Sequence, residues 1–274
     1  MPATHPGVAL VALTRRWRHS RLMRASAYKI GEALGDRVLI GKTLGGSPMA
    51  LSMRDHQHRA IYFSGEYEPE ITALFRSLVT PDSVVFDVGA NAGYFSILSR
   101  ELGASVHAFE PNPNVRALLA KSVRLAPGGV TVAPGGITVV AAACSDHEGT
   151  MPLYLSDPSN TGMTSLTTPA ERSVEVDVIT LDEHSHRTGT RPSLIKIDVE
   201  GHEHEVLTGA RALLESSRPT VIAEVGSPAT LELMAGCGYE PRRILPDGST
   251  TAHDGQLHTV GGYENVCFVP SPAG

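Results

Sequence analysis

Apolar residues run consecutively and then stop at an acid at four places: Val84-Val85-Phe86-Asp87-Val88, Ser105-Val106-His107-Ala108-Phe109-Glu110, Leu194-Ile195-Lys196-Ile197-Asp198, and residues 220–225 with Glu224. Such runs predict strands buried on both faces. Between them the spacing turns helical. A helix opens at Tyr94. Asn112 and Pro113 start another, with an inner stripe of Val115, Leu118, Leu119 and Val123. One helix is predicted from Glu203 through Val206, Leu207, Ala210, Leu213 and Leu214, and a further one at residues 231–234 stops at the glycines 236 and 238. Residues 137–142 read as the third strand, 239–245 as a later one, and 264–269 as the strand that closes the sheet. This alternation predicts an α/β fold with a parallel core.

Outside the core the patterns are shorter. Ile71, Leu74, Phe75 and Leu78 predict a helix after Glu66-Tyr67-Glu68-Pro69-Glu70, with Pro81-Asp82 turning into the first central strand. Residues 151–155 and 174–179 alternate as strands around a polar, Gly-containing tip at 159–165, an inserted hairpin over about 146–180 that can fold over a substrate. A Pro-containing loop is expected from Thr180-Leu181-Asp182 to Pro192, and a short strand at 130–132. Near the start, Leu10, Leu13, Trp17 and Leu22 lie among five arginines between 15 and 24, which predicts a basic amphipathic helix. It serves either as a contact to a membrane surface or acidic partner, or as a lid or homodimer contact. Val38-Leu39-Ile40 and Met49-Ala50-Leu51 suggest a small hairpin. Residues 1–64 are thus expected to form an N-terminal extension, and residues 65–274 the main domain.

Composition narrows the class. The 274 residues carry 41% hydrophobic and 19% charged positions, in the ordinary globular range, and a net charge of −6 argues against a nucleic-acid surface spread over the protein. Cys144, Cys237 and Cys267 have no paired spacing, so a reducing cytoplasm is expected, and no apolar run approaches the ~18 residues of a membrane span.

The chemistry centres on Asp87-Val88-Gly89-Ala90-Asn91-Ala92-Gly93. A strand that feeds a Gly-rich turn and a helix N-terminus holds nucleotides beyond the strand ends. A dinucleotide fingerprint would need glycine at Asn91, and a phosphate-binding P-loop would need Lys and Ser or Thr after Gly93, where Tyr94 and Phe95 stand. What remains resembles the first motif of S-adenosylmethionine-dependent methyltransferases, whose cofactor has no phosphate. Asp87 then faces the cationic methionine end, and Glu110 takes the ribose hydroxyls in a two-oxygen fork. Alone, either acid would read as the cap of the next turn. Ser145, with Asp146, is placed to reach the adenine amino group or simply to turn the chain. Tyr67 and Glu68 either close over the cofactor or begin the helix that follows.

Together with Glu110-Pro111 and the run Lys196-Ile197-Asp198-Val199-Glu200-Gly201-His202-Glu203, and with Glu224 beyond it, this motif resembles the FkbM family of methyltransferases over about residues 66–225. The resemblance implies a class I, Rossmann-like fold with a seven-stranded mixed sheet and helices on both faces, S-adenosylmethionine as donor, and O-methylation of a hydroxyl on a small natural product or sugar. A carboxylate acceptor, or a non-catalytic module that binds the cofactor and docks a partner, stays open. The cofactor set is Tyr67, Glu68, Asp87, Gly89, Asn91, Gly93, Phe95, Glu110, Asn112, Ser145 and Asp198. Methyl transfer to an alcohol needs a base for its proton, and the candidates are Asp198, Glu200 and His202. His202 also reads as a structural hydrogen bonder. If Asp198 touches only the cofactor's amino group, the role passes to Glu200 or Glu224. No metal is assigned, since a magnesium site would need Asp182 or Glu224 to converge with Asp198, Glu200 and His202, and the histidine spacing of helical zinc sites is missing.

Overall fold

The first central run forms β3 (Val84–Val88), and its neighbours on both sides are parallel to it: β4 (Ser105–Phe109) on one side and β9 (Leu194–Ile197) on the other. The computed structural model describes residues 33–126, 136–157, 159–161, 164–259 and 262–272. The expected basic helix at 10–24 and the short strand at 130–132 lie outside the described residues. With β5 (Ile137–Val140), β10 (Thr220–Val225), β11 (Tyr239–Ile244), β12 (Thr250–Ala252) and β13 (Glu264–Pro270), the sheet runs β12-β11-β13-β10-β9-β3-β4-β5. The chain leaves β3 toward β4 and β5, then returns to β9 and moves outward the other way. The strand order reverses between β3 and β9, and the crevice beyond their carboxyl ends is where such sheets bind ligands.

Alternate residues of β3 enter two separate cores. Val85 packs with α2 (Pro69–Leu78), α3 (Tyr94–Glu101) and α4 (Pro113–Leu125), whereas Phe86 and Val88 face α6 (Glu203–Thr208), α7 (Arg211–Ser217) and α8 (Pro228–Gly236). Asp87 shares the face of Val85 because side chains alternate along a strand.

The sheet departs from the expected one at its far edge. Among the described residues it has eight strands against the seven expected, the eighth being β12, and the closing strand, residues 264–270, lies between β10 and β11, antiparallel to both. The predicted helix from Glu203 is two helices, divided at Gly209 and Ala210, and the close approach there admits only glycine, since a carbon at Gly209 would meet the Ser145 carbonyl oxygen at 2.0 Å. Asp182 takes the amides of Ala212 and Leu213, at 3.0 and 2.8 Å, at the start of the second helix. The stretch read as a loop after Thr180 begins with α5 (Leu181–Thr188), capped by the Thr180 hydroxyl and ended at Gly189. It buries only Leu181 and His184, too few positions to show a period.

The hairpin near the start is present as β1 (Val38–Lys42) against β2 (Pro48–Ser52). Met49, Leu51 and Met53 are fully buried in the first core, and the Ala50 amide donates to Ser122 Oγ of α4 at 2.9 Å. It is followed by α1 (His56–Ser64), which the sequence pattern does not announce, since its buried residues include His58 and Arg59. The expected inserted hairpin is β7 (Gly149–Tyr154) with β8 (Ser173–Ile179), extended by β6 (Ala143–Cys144) into a three-stranded sheet around Leu153, Leu166, Val176 and Val178.

Candidate active site

The carboxyl ends of β3, β4 and β9 open into a cleft of about 970 Å³, mouth included. The turn after β3 forms its floor. Gly89 adopts a left-handed φ of 81°, and a side-chain carbon there would stand 1.9 Å from the Asp198 carbonyl oxygen, so only glycine lets the two strand ends approach. The amides of Gly89 and Ala90 both donate to the Phe109 carbonyl at 3.0 Å. Asn91 is also left-handed, at φ 51°, a conformation its short amide tolerates by bonding locally. Its Oδ1 accepts from the Ala92 amide at 2.7 Å.

Glu110 lies at the end of β4 and is nearly inaccessible. One carboxylate oxygen accepts from the Asn91 amide at 2.9 Å and the other from the Asn112 amide at 2.8 Å. Burial pushes its carboxyl up to about 7, against the pull of those two amides and of Arg116. Asp87 accepts from Ser96 Oγ at 2.5 Å, and its full burial also raises it.

At the end of β9, Lys196 Nζ reaches Asp198 Oδ2 at 2.9 Å and lies 4.7 Å from the centre of the Phe95 ring. Burial works against this ammonium, but Asp198, Glu68 and Asp87 outweigh it and hold the lysine charged. The chain then bends through Glu200 (φ 54°) and Gly201 (φ 93°), and Glu203 ties the bend by accepting from the amides of Val199 and Gly201, each at 3.2 Å. The bend turns Glu200 into the cleft. Burial first, then Asp198 and Glu203, pushes its carboxyl up to about 7. Glu224 on β10 is pushed up to about 8 by burial and by Asp198 and Glu200. Burial and the neighbouring acids likewise raise Glu68 and the Tyr67 phenol.

Comparison with known proteins matches residues 87–241 to the Methyltransferase FkbM domain. The chain belongs to the FkbM methyltransferase family. Over 150 residues it is 31% identical to the hexuronic acid methyltransferase AglP of Haloferax volcanii; the match covers 54% of this chain and 59% of that protein's length. Among solved structures it is similar to methyltransferase FkbM from Methylobacillus flagellatus KT, at 19% identity and a TM-score of 0.47, covering 77% of this chain and 51% of that one. It is also similar to the tRNA m1G37 methyltransferase of M. jannaschii, at 15% identity and a TM-score of 0.45, covering 86% of this chain and 57% of that one.

Of the residues singled out in this FkbM-family sequence, Tyr67, Asp87, Gly89, Asn91, Phe95, Glu110, Asp198 and Glu200 line the cleft together. Five do not. Gly93 supports the turn from behind, against Leu119, and the Asn112 side chain caps α4. Glu68 stands in the charge field of the Lys196–Asp198 pair without lining the cleft. His202 and Ser145 bind each other, Nε2 to Oγ at 2.9 Å, with Glu205 3.5 Å from His202 Nδ1. Ser, His and acid stand in line there, but Ser145 is fully buried and its hydroxyl donates to Asp146 at 3.1 Å, so no substrate reaches it. Asp182 caps α7, away from Asp198 and Glu200.

The cleft also has a wall that motif reading missed. Gln57, His58 and Ile61 of α1 line it together with Leu153, Thr161, Thr164 and Leu166 of the insertion. Lys196 was visible inside the second motif, but its partner is set by the strand end. For Gln57 and His58 the sequence holds no signal, since neither belongs to a motif or a periodic stripe.

Proposed function

We propose that this chain is an S-adenosylmethionine-dependent O-methyltransferase that acts on a hydroxyl of a sugar or a small polyhydroxylated natural product. The fit of the cofactor is supported by the side-chain-free space at Gly89 and by the carboxyl groups of Asp87, Asp198 and Glu110 on the cleft wall. Asp87 and Asp198 would face the methionine cation, Glu110 the ribose hydroxyls, and Tyr67 and Phe95 the apolar wall. When bound, the cofactor supplies a methyl electrophile on a sulfonium, so the protein's tasks are to align an acceptor oxygen with it and to remove one proton.

Glu200 is the residue for that proton. A carboxyl that titrates near 7 is half ionised at neutral pH, balancing availability against proton affinity. Asp198 is less suited, since the Lys196 ammonium is bound to it. Among the described residues the cleft wall carries the carboxylates of Asp87, Glu110, Asp198 and Glu200 and the single ammonium of Lys196. This excess of negative charge is the observation that carries the reading: it suits a cationic donor and a neutral hydroxyl, and it repels an acceptor carboxylate. The relative from Haloferax volcanii is named for a hexuronic acid, which supports a sugar-related acceptor here; such a sugar carries a carboxylate beside its hydroxyls, so the name does not choose between them, and the choice of a hydroxyl rests on the charge of the cleft.

The test is label transfer from methyl-labelled S-adenosylmethionine into hexuronic acids, glycosides and polyols. Label should enter alkali-stable ethers. Alkali-labile label would reassign the acceptor to a carboxylate, and cofactor binding without transfer to any acceptor would favour a non-catalytic module. In Glu200→Gln, kcat should fall by roughly 10²–10³-fold and lose the rise with pH near 7, with the affinity for S-adenosylhomocysteine kept. A variant with wild-type kcat would remove Glu200 from the role of base.

A further inference from the structure

The missed wall of the cleft is joined to the turn below it by one buried acid. Asp55, fully buried, caps α1: its Oδ1 accepts from the His58 amide at 2.9 Å. Its Oδ2 accepts from both the amide and the hydroxyl of Thr161 on the insertion, at 2.7 and 2.6 Å. The neighbouring His56 amide donates to the Ser159 carbonyl at 3.0 Å. The first turn of α1 and the insertion therefore hold each other through a carboxylate whose two oxygens are divided between them.

The same turn of α1 grips the floor. The Ser52 amide donates to His58 Nδ1 at 3.3 Å, which leaves the ring proton on Nε2, and Nε2 donates to Asn91 Oδ1 at 2.8 Å. Gln57 Oε1 accepts from Asn91 Nδ2 at 3.2 Å. Both ends of the Asn91 amide are thus fixed by α1, and the Asn91 backbone amide donates to Glu110. A continuous series runs from Thr161 through Asp55, His58 and Asn91 to Glu110. Its first and last members line the cleft on the insertion side and on the floor.

We propose that Asp55 is a positioning residue that couples the insertion to the carboxylate floor, so that the Thr161 wall and Glu110 are set together. This rests on the methyltransferase reading of the cleft. A substrate touching Thr164 and Leu166 would then find the donor-binding turn already in register. A carboxylate suits this position because three donors converge on it, whereas an amide would turn an N–H toward at least one of them.

The experiment uses the full chain. Asp55→Asn, His58→Leu, His58→Gln and Thr161→Val are compared in two measurements: calorimetric affinity for S-adenosylhomocysteine, and hydrogen exchange of the backbone amides of Thr161 and Asn91. Loss of a buried hydrogen bond in the series should weaken S-adenosylhomocysteine binding by about five- to tenfold in Asp55→Asn and His58→Leu. His58→Gln, which keeps a donor, should recover part of the loss. In Asp55→Asn the Asn91 amide should exchange faster together with that of Thr161, and Thr161→Val should also speed the Asn91 amide although it touches nothing on the floor. Faster exchange at Thr161 alone, with Asn91 and the affinity unchanged, would reduce Asp55 to a local pin and overturn the coupling. Should Asp55→Asn fail to fold, Thr161→Val, which removes one donor only, carries the same two readouts. Absence of binding by the unsubstituted protein would sink the cofactor reading, and the exchange at Asn91 would still decide the coupling.

Discussion

Replacing Gly89 by alanine puts one methyl group where the first and second motifs touch. The added carbon would lie 1.9 Å from the Asp198 carbonyl oxygen and 2.9 Å from its carbon, whereas atoms in ordinary contact stand ~3.5 Å apart, so the two strand ends must separate by roughly 1.5 Å. The obstacle is backbone, and the backbone is pinned: the Asp198 amide donates to the Val88 carbonyl at 3.0 Å. A φ of 81° costs a residue with a side chain about 1–2 kcal/mol, overpacking about 1–3, and a lost strand hydrogen bond about 1 more. Gly89→Ala should therefore lose about 3–6 kcal/mol, a large share of the ~5–15 kcal/mol that holds a domain together. Gly93→Ala is the internal control. It has a similar φ, 91°, but its added carbon would meet Leu119 Cδ1, the end of a side chain that can rotate away, so its loss should be nearer ~1–3 kcal/mol. Denaturant unfolding followed by fluorescence and circular dichroism measures both, and calorimetry with S-adenosylhomocysteine reports the floor. If Gly89→Ala stays within ~1 kcal/mol of the parent, or proves milder than Gly93→Ala, the close approach of the two motifs is not what requires glycine.

Two further outcomes follow from the buried titratable groups. In Glu110→Gln one of the amides of Asn91 and Asn112 must face an N–H instead of an oxygen; affinity for S-adenosylhomocysteine should fall about 10–100-fold, and calorimetry within twofold of the parent would refute the fork. His184, bonded to His107 at 2.8 Å, is pushed down to about 4 by burial and by His107 and Arg187, while an unfolded histidine titrates near ~6.5. Between those values the unfolded chain holds the extra proton, so stability should decline as pH falls from about 6.5 to about 4, by up to ~1.4 kcal/mol per pH unit. His184→Gln should reduce that slope by about one proton, and an unchanged slope in pH-dependent unfolding would refute the assignment.

The elements whose signal is local are legible along the chain. Buried parallel strands need unbroken apolar runs, and the acids Asp87, Glu110 and Asp198 stop those runs at one edge, so strands, site edge and carboxylates could be read together. The glycine and asparagine of the first turn were legible because their residue types answer a backbone requirement, seen in the left-handed φ of Gly89 and Asn91. Features that depend on pairing between distant residues emerge only in the folded chain. Residues 264–270 read as a strand from their own pattern, but their place between β10 and β11 comes from hydrogen bonds to two partners. Asp198, Glu200 and His202 look equivalent along the chain. Asp198 reaches the cleft from the strand end, and the bend at Glu200 and Gly201 then brings Glu200 to the cleft and sends His202 to Ser145, a direction fixed by two dihedral angles and by the amides that Glu203 holds. The wall from α1 left no trace in the periodicity because its buried face includes Asp55, His58 and Arg59. Such polar groups are stable in the interior only with specific partners: Thr161 and Asn91 arrive from elsewhere in the fold for Asp55 and His58, and Arg59 donates to the Met53 and Arg54 carbonyls.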